Sequence, residues 1–186
     1  ARVRKLQGEC VRLNDDIRWL VALISDTGMR LSEAVGLRHQ DLKLHHEVPH
    51  VALVPHATRR LKTDSSERVI PLVGASLWAA QKIIESDHSE YCFPRYCSDA
   101  VCKSNSASAA INKWIKAVVG SNAVIHGFRH GFRDRLRAVE APVDMIDQLG
   151  GWSLRSVGQG YGEGYPLRNL EQWMRKIETF RHDALT

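Results

Sequence analysis

The stretch Thr27-Gly28-Met29-Arg30-Leu31-Ser32-Glu33 separates two segments with helical patterning and decides how the first part of the chain folds. Upstream of it, apolar residues recur every three or four positions, which predicts an amphipathic helix over residues 13–26. Gly28 is a typical helix stop, and Ser32 is a suitable N-cap for a short second helix over residues 32–37. We therefore expect Arg30 to lie in a tight turn between two helices.

A β-hairpin is predicted next along the chain. Residues 51–54 and 68–72 are β-branched or aliphatic, and they bracket the polar stretch 58–67. Lys62 lies near the predicted tip, with Arg59 and Arg60 shortly before it. The hairpin is therefore expected to carry a basic tip.

The rest of the chain reads as mainly helical. Helices are expected over residues 75–86, 106–119 and 128–138, and Pro142 is well placed to open the next one. Residues 150–165 are rich in glycine and are predicted to be loose. The fold class indicated is α+β, mainly α-helical with a small antiparallel β-sheet.

An apolar stripe marks the terminal segment and predicts a last helix over residues 167–180. Its members are Leu167, Leu170, Trp173, Met174, Ile177 and Phe180. Such a stripe is more often simple core than an interface with another chain.

Composition indicates an ordinary globular chain whose moderate positive charge suits a polyanionic partner without requiring one. The chain has 186 residues, of which 44% are hydrophobic and 25% charged, so one domain with a substantial core is expected. The net charge is +5, and 18 arginines stand against eight lysines. Because a guanidinium fits two phosphate oxygens at once, phosphate is the anion to expect.

No membrane span or secretory signal is recognisable, so a cytoplasmic location is expected. The four cysteines, at positions 10, 92, 97 and 102, are expected to be reduced thiols. Their spacing does not suit a zinc site, and no metal is predicted. The chain begins with Ala1 in a basic segment, which suggests a piece of a longer protein that has an upstream domain.

A second motif is His126-Gly127-Phe128-Arg129-His130, at the start of a predicted helix. About 0.9 His-x-x-Arg pairs are expected by chance in a chain with this many histidines and arginines, so the pair alone decides nothing. Its combination with Arg30, with Lys62 on a hairpin tip and with a tyrosine in a glycine-rich segment, in this chain order, is far more specific.

The combined pattern resembles the tyrosine recombinases, the phage integrase family, from about residue 12 to residue 180. Residues 27–33 resemble the first arginine box of that family, and residues 126–130 resemble its second box. Lys62 resembles the lysine of the family's β2–β3 hairpin. Leu149-Gly150-Gly151-Trp152-Ser153 is similar to the segment usually written Leu-Gly-His-Ser, and Tyr161 follows Trp152 by nine residues, as the family's nucleophile does.

The resemblance implies a catalytic domain over residues 1–186, with the family's N-terminal core-binding domain not included. It implies site-specific cleavage and rejoining of double-stranded DNA through a 3′-phosphotyrosyl intermediate, without a metal or nucleotide cofactor. It further implies a homo-tetramer on DNA, in which the terminal helix docks on a neighbouring protomer, and possible accessory DNA-bending proteins.

The resemblance also assigns roles to residues. Arg30 and Arg129 would hold the two non-bridging phosphate oxygens, Tyr161 would attack phosphorus, and Lys62 would donate a proton to the leaving 5′-oxygen. His126 would exchange a proton or position the site, and Trp152 would donate one hydrogen bond and pack against the site.

Further residues are assigned around these. Glu33, three residues after Arg30, would orient either that guanidinium or His126. DNA contacts are expected from Arg59, Arg60 and His130.

Several alternatives stay open at this point. Arg59 or Arg60 could take the role of Lys62, and Tyr165 competes with Tyr161 as nucleophile, although it stands 13 residues after Trp152 and precedes proline. Two other functions also fit parts of the pattern: a non-catalytic DNA-binding relic of a recombinase and a type IB topoisomerase.

Overall fold

The computed structural model describes residues 1–56, 66–86, 89–98, 101–120, 122–152 and 164–180. The helices in these ranges are α1 Arg2–Leu13, α2 Asp16–Thr27, α3 Leu31–Val35, α4 Gly74–Ser86, α5 Ser104–Val119, α6 Gly127–Ala138, α7 Val143–Gly150 and α8 Leu167–Lys176. The strands are β1 Leu42–Lys43, β2 His50–Leu53, β3 Arg68–Pro71, β4 Cys97–Ser98 and β5 Val101–Cys102, and a 3-10 turn spans His39–Asp41. The predicted class, mainly helical with a small antiparallel sheet, is confirmed.

Helix α2 lies at the centre of the core and packs against α1, α4 and α6. Its residues 20–24 are all essentially inaccessible to solvent. The helix begins at Asp16 because the Asp15 side chain accepts a hydrogen bond from the backbone N–H of Arg18 at 3.0 Å. The predicted helix over residues 13–26 therefore starts too early.

Helix α1 was not predicted, because its charged residues obscure its apolar face. Leu6 and Cys10, four residues apart, are buried on that face, and α1 packs on α2 and α5. Asn14 ends the helix in the left-handed conformation at φ 48°. Leu13 consequently belongs to α1 and lies partly exposed, at 36%, rather than opening α2.

The junction between α2 and α3 is the predicted tight turn. Gly28 ends α2 with φ 63°, a left-handed conformation that favours glycine. The predicted cap at Ser32 is wrong: Arg30 occupies the N-cap position, and helix α3 ends at Val35. The Glu33 carboxylate accepts the Arg30 backbone N–H at 2.8 Å, which satisfies a free donor at the helix start.

The predicted hairpin strands are confirmed as β2 and β3, which pair antiparallel with Val51 opposite Ile70. Strand β1 adds a third member on the other side of β2; its two residues are too few to give a sequence signal. Residues 57–65, which join β2 to β3, lie outside the described part of the chain.

A second, two-stranded sheet corrects the expectation of four free thiols. Strands β4 and β5 pair with Cys97 directly opposite Cys102, and these two residues form a disulfide. The pairing brings the two Cα atoms to 4.2 Å, which the linear spacing of the cysteines could not reveal. Cys10 and Cys92 are free and buried.

The remaining predicted helices are confirmed with shifted ends. Helix α5 begins two residues earlier than expected and ends at Val119, with Gly120 as its C-cap. Pro142 is the N-cap of α7. Helix α8 ends at Lys176, short of the predicted end, and its buried stripe packs against the core through Leu170 and Met174. In the part of the chain described, no helix has the length and apolarity needed to cross a bilayer.

Candidate functional site: a buried arginine cluster

Arg129 lies in the first turn of α6 and connects the two predicted arginine boxes. The residue is only 5% exposed, and its Nη1 donates a hydrogen bond to the backbone oxygen of Gly28 at 2.8 Å. Its Nη2 is also buried, yet it has no hydrogen-bond partner among the described residues. A buried donor without an acceptor costs free energy, so this atom is available for an acceptor supplied by a ligand.

The electrostatics of Arg129 place it among other cations. Burial, followed by the positive charges of Arg30 and Arg68, lowers the pKa of Arg129 to about 10. The guanidinium therefore stays charged at neutral pH while it is repelled by its neighbours. An anion placed between these groups would relieve that repulsion.

Glu33 is the carboxylate that forms hydrogen bonds with both Arg30 and Arg68. Its Oε1 accepts a hydrogen bond from Arg30 Nη1 at 2.6 Å, and its Oε2 accepts one from Arg68 Nη2 at 3.0 Å. Burial acts to raise the pKa of Glu33, but Arg68 and Arg30 outweigh it, and the pKa is lowered from its ordinary value. Glu33 is therefore an ionised carboxylate shared by two arginines.

Arg30 itself is partly accessible, with 25% of its side chain exposed. Besides Glu33, its Nη1 donates to the Ser66 hydroxyl at 3.2 Å, just before β3 begins. The residue is thus anchored on one side and open to solvent on the other, as a group that receives an anion must be.

Trp152 follows α7, and its indole packs against two arginines. The guanidinium carbon of Arg129 lies 4.4 Å from the centroid of the indole, and that of Arg133 lies 4.9 Å from it. The backbone N–H of Trp152 donates to the backbone oxygen of Asp147 at 3.0 Å, which ties the residue to α7. The indole therefore contacts the same arginine that carries the unpartnered donor.

His126 caps the start of α6 and lies on the exposed side of the cluster. Its ring meets the ring of His130 edge to face, with centroids 5.1 Å apart. Burial, then His130, Arg129 and Arg30, lower the pKa of His126. The neutral imidazole is consequently favoured at neutral pH, and it is able to accept a proton.

Four predicted site residues, Arg59, Arg60, Lys62 and Tyr161, lie outside the described residues. The competing tyrosine, Tyr165, is described. Its hydroxyl donates to both oxygens of the Asp144 carboxylate, at 3.0 and 2.9 Å. Burial and this carboxylate raise the pKa of Tyr165, so its phenolate is disfavoured.

Arg68 and Arg133 belong to the cluster but were not predicted. Arg68 shares its side of β3 with Ile70, which is completely buried, and the two-residue period of a strand would have placed Arg68 inside as well. Arg133 follows Arg129 by four residues and therefore shares its helix face. The two-residue period of β3 and the four-residue spacing on α6 are both present in the sequence. They identify these arginines once it is known which face of each element is buried.

The arrangement as a whole suits a phosphate oxyanion rather than a metal ion. Three arginines surround one carboxylate, and one of their donors is buried without a partner among the described residues. Within the described ranges, no group of three or more His, Cys, Asp or Glu side chains is arranged to hold a metal ion.

The structure is similar to solved recombinase structures. One is the Tn1549 transposon integrase in complex with a circular intermediate DNA, at 18% identity and a TM-score of 0.53, covering 86% of this chain and 58% of that one. The same integrase in complex with transposon right end DNA gives 17% identity and a TM-score of 0.51, with the same coverage. The XerA recombinase gives 15% identity and a TM-score of 0.60, covering 99% of this chain and 58% of that one.

At these identities the structural similarity establishes the fold, and the chain spans little more than half the length of these proteins. No curated protein sequence matches the chain significantly. The model of the phage integrase family, by contrast, matches residues 4–165, which include both arginine boxes and Tyr161. With this match and the fold in agreement, the chain belongs to the phage integrase family.

Proposed function

We propose that the protein is a site-specific tyrosine recombinase that cleaves and rejoins double-stranded DNA. The observation that carries this proposal is the buried Nη2 of Arg129, which lies beside the charge of Arg30 and has no hydrogen-bond partner among the described residues. A phosphodiester gains negative charge on its non-bridging oxygens as a nucleophile arrives, and fixed cationic donors stabilise that charge. Membership of the phage integrase family and the similarity to an integrase structure in complex with DNA support the same function.

The proposed reaction has two transesterification steps. Tyr161 Oη attacks phosphorus, the bond from phosphorus to the 5′-oxygen breaks, and Lys62 supplies the proton that the leaving oxygen needs. The phenolic proton passes to a base, for which the neutral His126 is suited. In the second step a 5′-hydroxyl attacks the phosphotyrosine, which restores the phosphodiester and the tyrosine without an external energy source.

Three observations support the assignment of the remaining groups. Tyr165 is held by Asp144 with a raised pKa, which makes it a poor nucleophile and favours Tyr161. Trp152 stacks on Arg129 and would keep its guanidinium in place, while the indole N–H is a donor for a phosphate oxygen. Glu33 would orient Arg30, which it contacts directly.

The partners proposed are double-stranded DNA and further copies of the chain. By the family resemblance a homo-tetramer assembles on DNA, with accessory DNA-bending proteins as further candidates, and a separate core-binding domain precedes residues 1–186 in the whole protein. Arg59, Arg60 and His130 are proposed to contact the DNA backbone.

The test uses a nicked suicide duplex that carries a site selected by the protein from random DNA. Cleavage releases the short strand, so the covalent adduct accumulates and appears as a slower band on a denaturing gel. The adduct is expected with the wild type and with Tyr165→Phe, and it is expected to be lost with Tyr161→Phe. EDTA is expected to change nothing.

Other outcomes discriminate the alternatives. DNA binding without any adduct indicates a non-catalytic relic. Relaxation of supercoiled DNA by a monomer indicates a topoisomerase. Loss of cleavage on chelation of metal ions would replace the proposal with a metal-dependent nuclease.

A further inference from the structure

Arg68 is a buried cation for which the proposed reaction assigns no role. Its side chain is 3% exposed, and each of its three nitrogens donates a hydrogen bond. Nε donates to Leu149 O at 2.9 Å, Nη1 to Ser66 O at 2.7 Å, and Nη2 to Glu33 Oε2 at 3.0 Å. A single guanidinium therefore joins α3, the start of β3 and the end of α7.

The residues that Arg68 contacts are themselves in contact with, or close in sequence to, the groups proposed to hold the phosphate. Glu33, which Arg68 contacts, is the residue that accepts the hydrogen bond from Arg30 Nη1. Ser66 is shared as well: its backbone oxygen accepts from Arg68, and its hydroxyl accepts from Arg30. Leu149 lies three residues before Trp152, the residue that stacks on Arg129.

On the basis of the proposed function, we propose that Arg68 is a positioning residue of the strand-cleavage site. It keeps the Glu33 carboxylate ionised and directed at Arg30, and it fixes Arg30 relative to the end of α7. A lysine could supply the charge but not the three-way fork, because its donors radiate from a single atom.

The charges around Glu33 provide a measurable signature of this role. Three cations act on its carboxylate: Arg30 from the start of α3, Arg68 from β3 and Arg129 from α6. Burial opposes ionisation of Glu33, and Arg68 is the strongest influence that favours it. Without the charge of Arg68, the pKa of Glu33 is expected to rise, so that Glu33 takes up a proton at a higher pH and loosens its hold on Arg30.

The experiment compares the wild type with Arg68→Gln and Arg68→Lys on the nicked suicide duplex described above. Single-turnover adduct formation is measured between about pH 5 and pH 9. The ratio of the variant rate to the wild-type rate is plotted, since the titration of His126 is common to all of the proteins. For Arg68→Gln this ratio is expected to be reduced about 10- to 100-fold on the acidic side and to recover as pH rises. For Arg68→Lys the ratio is expected to be reduced at every pH, because lysine cannot reproduce the three hydrogen bonds. It should change little with pH, because the positive charge beside Glu33 is kept.

A second measurement needs no DNA. The carbon-13 shift of the Glu33 side-chain carboxyl is titrated in the same three proteins, and its midpoint is expected at higher pH in Arg68→Gln but close to the wild type in Arg68→Lys. Arg135→Gln is the matched control. It removes the arginine from another buried ion pair, with Asp26 at 3.0 Å, and should lower stability without moving the Glu33 midpoint or giving the adduct ratio an acidic slope.

The outcomes separate this inference from the proposed function. If the wild type forms the adduct but the Arg68→Gln ratio has no slope and the Glu33 midpoint does not move, the positioning role is wrong and the recombinase stands. If the wild type forms no adduct, the proposed function fails, and the positioning role fails with it. Should Arg68→Gln not fold, a wild-type cleavage rate in Arg68→Lys would overturn the inference.

Discussion

Among single residues, Arg129 is a proposed binding group that destabilises the folded protein. Its buried Nη2 lacks a partner among the described residues, and burial with the charges of Arg30 and Arg68 lowers its pKa to about 10. Because the folded protein disfavours the charged form, the penalty is present below about pH 10 and fades as pH rises from there towards the higher, ordinary pKa of an arginine. Residues of a binding site often lower the stability of the free protein in this way.

We therefore expect Arg129→Met to remove DNA cleavage while raising the melting temperature. Loss of one such donor typically reduces a rate by about 10²- to 10³-fold. Relief of about 1 kcal/mol would raise the melting temperature by roughly 2–4 °C for a chain of this size. The cleavage rate is measured by adduct formation and the melting temperature by calorimetry, both at pH 7. Arg137→Met, which changes an exposed arginine on the same helix, is the control and should alter neither; a lower melting temperature for Arg129→Met would contradict the argument.

The histidine pair gives a second prediction for individual residues. Burial and then the positive charge of His130 lower the pKa of His126. In His130→Ala the second of these influences is absent, so the pKa of His126 should rise towards its ordinary value of 6.5. The His126 imidazole proton shift, followed by NMR as a function of pH, measures this. A pKa that stays constant or falls would show that the two rings do not interact electrostatically.

At the scale of secondary-structure elements, the turn between α2 and α3 depends on the absence of a side chain at Gly28. A Cβ on Gly28 would lie 2.5 Å from Phe132 Cδ1 on α6, and the residue has φ 63°. The backbone oxygen of this same residue accepts the hydrogen bond from Arg129. The turn therefore sets both the packing of α6 on α2 and the placement of the cationic cluster.

Gly28→Ala is accordingly expected to lower the free energy of unfolding by about 2–4 kcal/mol, from left-handed strain and overpacking together. Urea denaturation measures the change. Gly131→Ala is the matched control: an added Cβ there meets nothing within 4 Å, and alanine favours the interior of α6, so stability should rise by about 0.5–1 kcal/mol. Equal effects of the two substitutions would refute the role assigned to the turn.

At the scale of the whole molecule, a net charge of +5 favours a polyanionic partner. For a protein that contacts DNA phosphates, the logarithm of the binding constant falls linearly with the logarithm of salt concentration. The slope reports how many phosphates the protein neutralises, so it tests the proposed DNA contacts without knowledge of the base sequence that is recognised.

The double variant Arg59→Ala with Arg60→Ala should make this slope shallower, by about 0.9 for each phosphate that is no longer neutralised. Fluorescence anisotropy of a labelled duplex, titrated at several salt concentrations, measures it. Lys82→Ala is the control, because Lys82 already pairs with Glu85 at 2.7 Å, and its slope should match that of the wild type. An unchanged slope in the double variant would exclude both arginines from binding phosphate.

The family, the hairpin, most of the helices and the order of the two arginine boxes could be predicted from the sequence alone. Those features follow from local periodicity, from the glycine at position 28 and from fixed spacings, all of which are readable along the chain. The errors of this prediction have local causes too. Five of the 12 residues of α1 are charged, which weakens its apolar pattern. Arg30 rather than Ser32 caps α3 because the Glu33 side chain reaches back to the Arg30 backbone.

The groups that surround the two box arginines could not be predicted and are known from the folded structure. Arg68 meets Glu33 across 35 positions in the sequence, and Arg129 meets Gly28 across 101. Linear spacing does not encode contacts at such separations, because they arise when α3 and α6 pack on α2 and when β3 packs on α7. For the same reason, the Cys97–Cys102 disulfide and the buried donor of Arg129, which lacks a partner within the described ranges, are visible only in the folded chain. Burial and proximity are properties of packing rather than of sequence order.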